Sequence, residues 1–119
     1  MTISLLRVAA LSIILASLGC DDEPDHHPRT EGVLALQGDA AAGQSVFTGT
    51  CGTTVCHGAD GNTPGTPQTA KLGDEVPGNP DSFLADIILK GDGPMPPQDQ
   101  LTDQEIADVI AHLRVLFGE

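Results

Sequence analysis

The pattern of apolar positions is clearest near the C-terminus. The apolar residues there recur at the three- and four-residue spacing of one helical face: Ile106, Val109, Ile110, Leu113 and Phe117. Residues 102–105 read Thr-Asp-Gln-Glu, the capping box of a helix N-terminus. The pattern therefore predicts an amphipathic helix that begins after Thr102 and ends at Phe117.

Two further helices are predicted by the residues at their ends. Asp39 is a suitable cap for a helix that runs to about Thr50. Asn79-Pro80-Asp81 opens another helix, which continues to about Lys90 and stops at Gly91. One side of this second helix is apolar: Phe83, Leu84, Ile87 and Ile88. No segment shows the alternation of a strand, so helices are the only regular elements predicted.

The first 19 residues have a different pattern. Residues 8–18 form an almost unbroken apolar run behind Arg7, which is typical of a cleaved signal peptide. A helix of this length would extend only about 17 Å, which is short of the ~30 Å hydrocarbon core of a bilayer. An export signal is therefore favoured over a transmembrane helix.

Residues 16–20, Ala-Ser-Leu-Gly-Cys, resemble a bacterial lipobox in which the leucine is displaced by one position. The resemblance implies that Cys20 becomes the lipidated first residue of the mature protein, on the periplasmic side of a bacterial membrane. Residues 20–37 are acidic, contain proline and lack periodicity, so they are predicted to form a flexible tether. His26 and His27 would be exposed spacer residues, and the folded domain would span residues 38–119.

Composition narrows the range of functions. Without the signal segment, four basic residues face 17 acidic ones, and the net charge is −13. This charge makes nucleic acid an unsuitable partner. The chain has only three aromatic residues, Phe47, Phe83 and Phe117. A small domain with so thin a core usually needs a disulfide, metal or cofactor to be stable.

The segment Cys51-Gly-Thr-Thr-Val-Cys56-His57 supplies a candidate for that cofactor. In the C-x-x-C-H signature, two thiols bond to the haem vinyl groups and the histidine binds the iron. Here the spacing is C-x4-C-H, so two additional residues must bulge outward, which Gly52, Thr53 and Thr54 would permit. The adjacency of Cys56 and His57 is preserved.

Three alternatives compete with haem at this segment. A disulfide between Cys51 and Cys56 is reasonable in an oxidising compartment. A structural zinc site would need a fourth ligand, for which the sequence offers only the distant His112 or the tether histidines. A thioredoxin-like redox pair would require C-x-x-C on a βαβ scaffold, and no strand pattern is present.

From Gly38 to the C-terminus the chain resembles a class I c-type cytochrome. The shared features occur in the family's order: a helix around Gly43 and Phe47, the cysteine motif, His57-Gly58, a proline-flanked methionine and a terminal helix. The resemblance implies an all-α fold with three main helices around one covalently bound haem c. It also implies that the first and last helices cross at Gly43, and that a proline carbonyl, from Pro64 or Pro67, accepts the Nδ1 proton of His57.

Met95 is the candidate for the second axial ligand, opposite His57. Met1 is lost with the signal segment, and Pro94 and Pro96 hold Met95 in a stiff, extended segment. His112 competes for this role, but it lies roughly 120° from the apolar face of its helix and is predicted to be exposed. Axial ligation by His57 and Met95 would leave no vacant position on the iron.

These features predict a one-electron carrier rather than an enzyme. Its acidic surface would favour redox partners with basic docking surfaces. Two alternatives remain open. One is a haem subunit of an oxidoreductase complex, or a peroxidase-like protein in which Met95 is displaced. The other is a haem-free lipoprotein with a disulfide loop.

Overall fold

The computed structural model describes residues 25–119, and within that range the regular structure is entirely helical. Five helices follow one another along the chain: α1 (Thr30–Leu34), α2 (Ala40–Thr50), α3 (Leu72–Glu75), α4 (Asp81–Lys90) and α5 (Asp103–Phe117). The prediction of a small all-α fold is confirmed, and α2, α4 and α5 are the three helices that the sequence predicted. The short helices α1 and α3 were not predicted.

The N-terminal caps of α2 and α5 form as the sequence indicates. The Asp39 carboxylate accepts hydrogen bonds from the backbone N–H groups of Ala41 and Ala42 at 2.9 and 3.1 Å. At α5, the Thr102 hydroxyl and the Glu105 carboxylate each accept from the other residue's N–H, at 3.1 and 2.8 Å. These side chains satisfy N–H groups that have no partner within the helix.

Helices α2 and α5 cross in direct contact at Gly43. A Cβ atom placed on Gly43 would lie 1.9 Å from the carbonyl oxygen of Asp108. Beside the crossing, the buried carboxylate of Asp108 accepts hydrogen bonds from Asp39 N at 2.7 Å and from Gln104 Nε2 at 2.8 Å. The crossing at Gly43 is as the family resemblance implied, and it packs Phe47 of α2 into the core.

Arg114 of α5 fixes the segment that leads into α4. Its guanidinium donates to the carbonyl oxygens of Val76 and Asn79 at 2.9 and 2.6 Å, and to the Asp81 carboxylate at 2.8 Å. Because Asp81 is the first residue of α4, these bonds set the position of that helix against α5.

The segment before residue 38 was predicted to be a free tether, and for residues 25–37 this is wrong. Val33 is only 2% exposed and belongs to the hydrophobic core, and Thr30 is fully buried. Arg29 donates to the Asp103 carboxylate at 2.7 Å and to the Leu101 carbonyl at 2.6 Å. We call residues 25–37 the N-terminal strap. The sequence did not indicate it because its partners lie far away along the chain.

Asp86 of α4 is the main polar contact of the N-terminal strap. Its carboxylate, 15% exposed, accepts hydrogen bonds from the Thr30 hydroxyl and from His27 N, the latter at 2.9 Å, and it pairs with His26 Nδ1. Lys90 Nζ lies 3.9 Å from the same carboxylate. The expectation that His26 and His27 are exposed spacer residues is therefore also wrong.

Acidification should remove the stability that Asp86 contributes. Burial would raise the pKa of Asp86, but hydrogen bonds from Thr30, His26 and His27, with the charge of His26, outweigh burial and lower it to about 2. A carboxylate whose pKa is depressed on folding stabilises the fold above its unfolded value, near pH 4, and this contribution is lost as the pH falls toward 2. The difference corresponds to about 2 kcal/mol.

Denaturant unfolding of the wild type and of Asp86→Asn between about pH 5 and pH 2 would measure this contribution. The wild type should lose more stability than the variant over that range, because asparagine does not titrate. An equal loss in both proteins would assign the acid sensitivity to other groups.

No helix among residues 25–119 is long and apolar enough to cross a membrane. The predicted signal peptide (residues 1–19) and Cys20 lie outside the described residues.

Candidate functional site

A cavity of about 300 Å³ opens between α2, α4 and α5. This volume is at the lower end of the range of small-molecule sites, roughly 300–1,000 Å³. Its helical walls are apolar, and the residues that form them are Phe47, Phe83, Leu84, Ile87, Ile88, Val109 and Leu113. The apolar side predicted for α4 is thus a cavity wall. The four side chains predicted to bind haem also line this cavity: Cys51, Cys56, His57 and Met95.

The loop from Cys51 to His57 follows α2 directly and folds back on itself. Cys51 N and Gly52 N both donate to the carbonyl oxygen of Phe47, at 2.8 and 2.7 Å. Cys56 N then donates to Thr53 O at 3.0 Å, and His57 N to Cys51 O at 3.1 Å. These bonds bring the second cysteine and the histidine back beside the first cysteine despite the longer spacing.

The residues that bulge outward are not all those expected. Thr54 and Val55 are exposed, and the Val55 side chain is 75% exposed. Gly52, in contrast, is buried, and a Cβ there would lie 2.8 Å from the ring of Phe47. Gly65 supports the bulge from outside, since a Cβ on it would lie 2.3 Å from Thr54 O.

Cys51 and Cys56 are free thiols rather than a disulfide. Burial, together with the neighbouring Cys56, raises the pKa of Cys51 to about 11. The described residues contain no group of three or more His, Cys, Asp or Glu side chains arranged to hold a metal ion. The disulfide and zinc alternatives therefore have no support in this arrangement.

His57 is buried, with one ring nitrogen held by the backbone. Its Nδ1 lies 2.9 Å from the carbonyl oxygen of Ala70. A carbonyl can only accept, so Nδ1 carries the proton and Nε2 presents a lone pair suited to a metal. The expectation that Pro64 or Pro67 supplies this acceptor is wrong. The sequence gives no signal for Ala70, because any residue can provide a backbone carbonyl.

Met95 is half-buried, and it is the last residue of a tight turn. Asp92 N donates to Met95 O at 3.0 Å, and Met95 N to Asp92 O at 2.9 Å. Gly93 adopts a φ of +54° between them, a conformation that favours glycine. The turn is joined to α4, because Gln98 N donates to Ile88 O at 2.8 Å. We call residues 91–98 the Met95 turn.

His112 was predicted to be exposed, and this is wrong: it is 8% exposed. Its ring packs on Phe47 with centroids 5.4 Å apart and the planes tilted by 52°, and burial lowers its pKa. The apolar stripe of α5 is flanked by a second covered face, where α2 crosses at Gly43. His112 does not line the cavity.

Comparison with known families agrees with this geometry. Residues 38–113, well over half of the chain, match the family model described as cytochrome c oxidase, cbb3-type, subunit III. The chain belongs to this family. A cytochrome c-553-like protein from Synechocystis sp. is 29% identical to this cytochrome over 112 residues, which cover 89% of this chain and 96% of that protein. No solved structure matches it.

Membership of the family implies covalently bound haem c, and the residues of this cytochrome fit that group. Two free thiols lie on a cavity with apolar walls, and the next residue is a histidine with one ring nitrogen free to bind iron. The chain is therefore a c-type cytochrome domain with one haem, and haem supports an electron-carrier function.

Proposed function

We propose that this cytochrome is a one-electron carrier whose haem is bonded to Cys51 and Cys56 and whose iron is bound by His57 and Met95. The observation that carries the proposal is the convergence of these four side chains on one cavity. Among the described residues, no other methionine is present, and the other histidines, His26, His27 and His112, lie outside the cavity.

When bound, haem supplies a reversible Fe(II)/Fe(III) couple, and the protein's residues determine how it is used. His57 is fixed in one tautomer by Ala70 O, so its ring needs little reorganisation to bind iron. The Met95 turn presents a thioether, which favours the ferrous state. Binding of the iron by both His57 and Met95 would leave no position on it for a substrate, which favours a carrier over an enzyme.

The surface charge supports redox partners with basic docking surfaces. The charged side chains that line the cavity are Glu75 and Asp92, and both are acidic and exposed. With a net charge of −13 after removal of the signal segment, association with a basic partner should be steered electrostatically and should slow as salt is added.

We also propose that the chain is exported to the periplasmic side of a bacterial membrane and held there by lipid on Cys20. The apolar run at residues 8–18, followed by Gly-Cys and acidic residues, supports this location. Metabolic labelling with a fatty acid should mark the wild type and not Cys20→Ser.

The family description favours a second candidate, in which the cytochrome is a subunit of an oxidoreductase complex. The matched family is described as a subunit of an oxidase. Native electrophoresis of gently solubilised membranes separates the two candidates, since a free carrier should migrate alone and a subunit should migrate with partner chains.

The decisive test of haem attachment is a pyridine haemochrome spectrum of the full chain, matured in a host that attaches c-type haem. We expect the spectrum of a haem with two thioether bonds, and the haem should stay with the polypeptide through acid-acetone extraction. Extraction of the haem into the solvent would show that C-x4-C-H does not form both bonds and would refute the attachment proposed here.

Replacing Met95 with histidine should change the electronic properties of the iron without opening a coordination site. Ferric c-type cytochromes with a methionine ligand show a weak far-red absorption band, and we expect this band in the wild type and not in Met95→His. The reduction potential should fall, because imidazole favours the ferrous state less than a thioether does. His112→Gln is the matched control, since His112 lies outside the cavity, and it should keep the band.

A further inference from the structure

The N-terminal strap lies outside the residues that match the family, which begin at 38. It is nevertheless bound to the domain along its length. Val33 is buried in the core, Arg29 bonds to the first residue of α5 and to the segment before it, and Lys90 donates to the carbonyl oxygen of Asp25. A segment held by core packing and directed hydrogen bonds at several points has a defined position on the protein.

Three polar contacts of the strap converge on Asp86, on one side of α4. Asp86 accepts from the Thr30 hydroxyl, from His27 N and from the His26 ring. Thr30 is fully buried, so its hydroxyl has no alternative partner in solvent. Removing the hydroxyl would weaken the link between the strap and α4, although the contacts of Asp86 with His26 and His27 would remain.

The other side of the same helix faces the cavity, and its end carries the Met95 turn. Ile87 and Ile88 line the cavity, and Ile88 O accepts the hydrogen bond from Gln98 N at 2.8 Å. Where α4 stops, a Cβ on Gly91 would lie 2.5 Å from Met95 O, so the turn and the helix end are in direct contact. A displacement of α4 would therefore shift both ends of the Met95 turn.

We propose that the N-terminal strap braces α4 and thereby keeps the Met95 turn closed over the cavity, with Asp86 as the positioning residue that receives the strap. This inference rests on the assignment of Met95 as an iron ligand under the proposed function. A ten-residue helix is marginal in isolation, so its position depends on tertiary contacts. The strap supplies such contacts on the side of α4 away from the cavity.

Imidazole in solution measures how often the Met95 turn opens. It binds ferric iron only when the thioether has left, so its observed dissociation constant decreases as the open fraction increases.

Thr30→Val removes the hydroxyl but keeps the shape of the side chain. Asp86→Ala removes the receiving carboxylate and replaces it with a better helix former, so any loosening cannot be attributed to helix propensity. We expect both variants, as full-length haem-loaded proteins, to bind imidazole roughly 2- to 30-fold more tightly than the wild type.

Two control variants distinguish loss of the brace from a change of charge and from general destabilisation. Glu31→Ala removes the same charge as Asp86→Ala, but from an exposed side chain of the strap. Asp39→Ala removes the cap of α2 and should lower the unfolding temperature without touching the strap. Both controls should bind imidazole with wild-type affinity.

The outcomes distinguish failure of the brace from failure of Met95 ligation. If the far-red band is present and Thr30→Val and Asp86→Ala bind imidazole as the wild type does, the brace is refuted and Met95 ligation stands. If Asp39→Ala binds imidazole as tightly as they do, general destabilisation explains the effect and the brace is refuted. If the wild type lacks the band, Met95 ligation fails and the brace fails with it. Should Asp86→Ala not fold, Thr30→Val alone decides.

Discussion

Replacing Gly43 with alanine should prevent the normal crossing of α2 and α5 and destabilise the cytochrome by about 2 kcal/mol or more. The added Cβ would lie 1.9 Å from Asp108 O, 2.3 Å from Asp108 C and 2.9 Å from Val109 N. These are backbone atoms of a helix interior, which cannot rotate away as a side chain can. The two helices must separate, and overpacking of this kind costs about 1–3 kcal/mol or more.

Helix propensity acts in the opposite direction, but its contribution is smaller than the cost of the overlap at Gly43. Alanine is favoured over glycine inside a helix by about 1 kcal/mol. Gly49, in the same helix, has no atom within 4 Å of the position that a Cβ would occupy. The same substitution should therefore stabilise at Gly49 and destabilise strongly at Gly43. Thermal unfolding of the two haem-loaded variants tests this contrast, and an unchanged unfolding temperature for Gly43→Ala would show that the helices do not need this close contact.

The elements that the sequence predicted well are those determined by neighbouring residues. The capping box at Thr102 and the stop at Gly91 involve groups within a few positions along the chain, so their effect does not depend on the rest of the fold. The residues proposed to hold the haem were also selected from the sequence, because Cys56 and His57 are adjacent and Met95 is flanked by prolines, and the structure places all three on one cavity.

The parts that the sequence missed depend on distant partners. His112 is buried because α2 crosses α5 closely, a contact that the periodicity of α5 alone does not contain. His26 belongs to the N-terminal strap because Asp86, 60 residues later, is there to pair with it. The acceptor for His57 is the backbone carbonyl of Ala70, and residue type does not predict which backbone carbonyl takes this role.

The haem-free chain should not fold to the native structure, because haem fills much of what would be the core. An apolar cavity costs about 24 cal/mol per Å³, so leaving about 300 Å³ empty corresponds to roughly 7 kcal/mol. That is of the order of the whole stability of a small domain, about 5–15 kcal/mol. Water entering through the open side reduces the cost, but the apolar walls from α4 and α5 then lose their burial instead.

Far-ultraviolet circular dichroism during heating measures this dependence on haem. The wild-type chain made without the attachment machinery, under reducing conditions, should show a weaker helical signal and no cooperative transition. Under the proposed attachment, Cys51→Ala would leave one thioether bond, to Cys56. This variant therefore tests whether the helices depend on the volume of the haem or on the number of bonds to it. It should keep its helices, because His57 and the cavity walls still enclose the haem. A cooperative transition near the wild-type temperature in the haem-free chain would mean that α2, α4 and α5 pack into a sufficient core without haem.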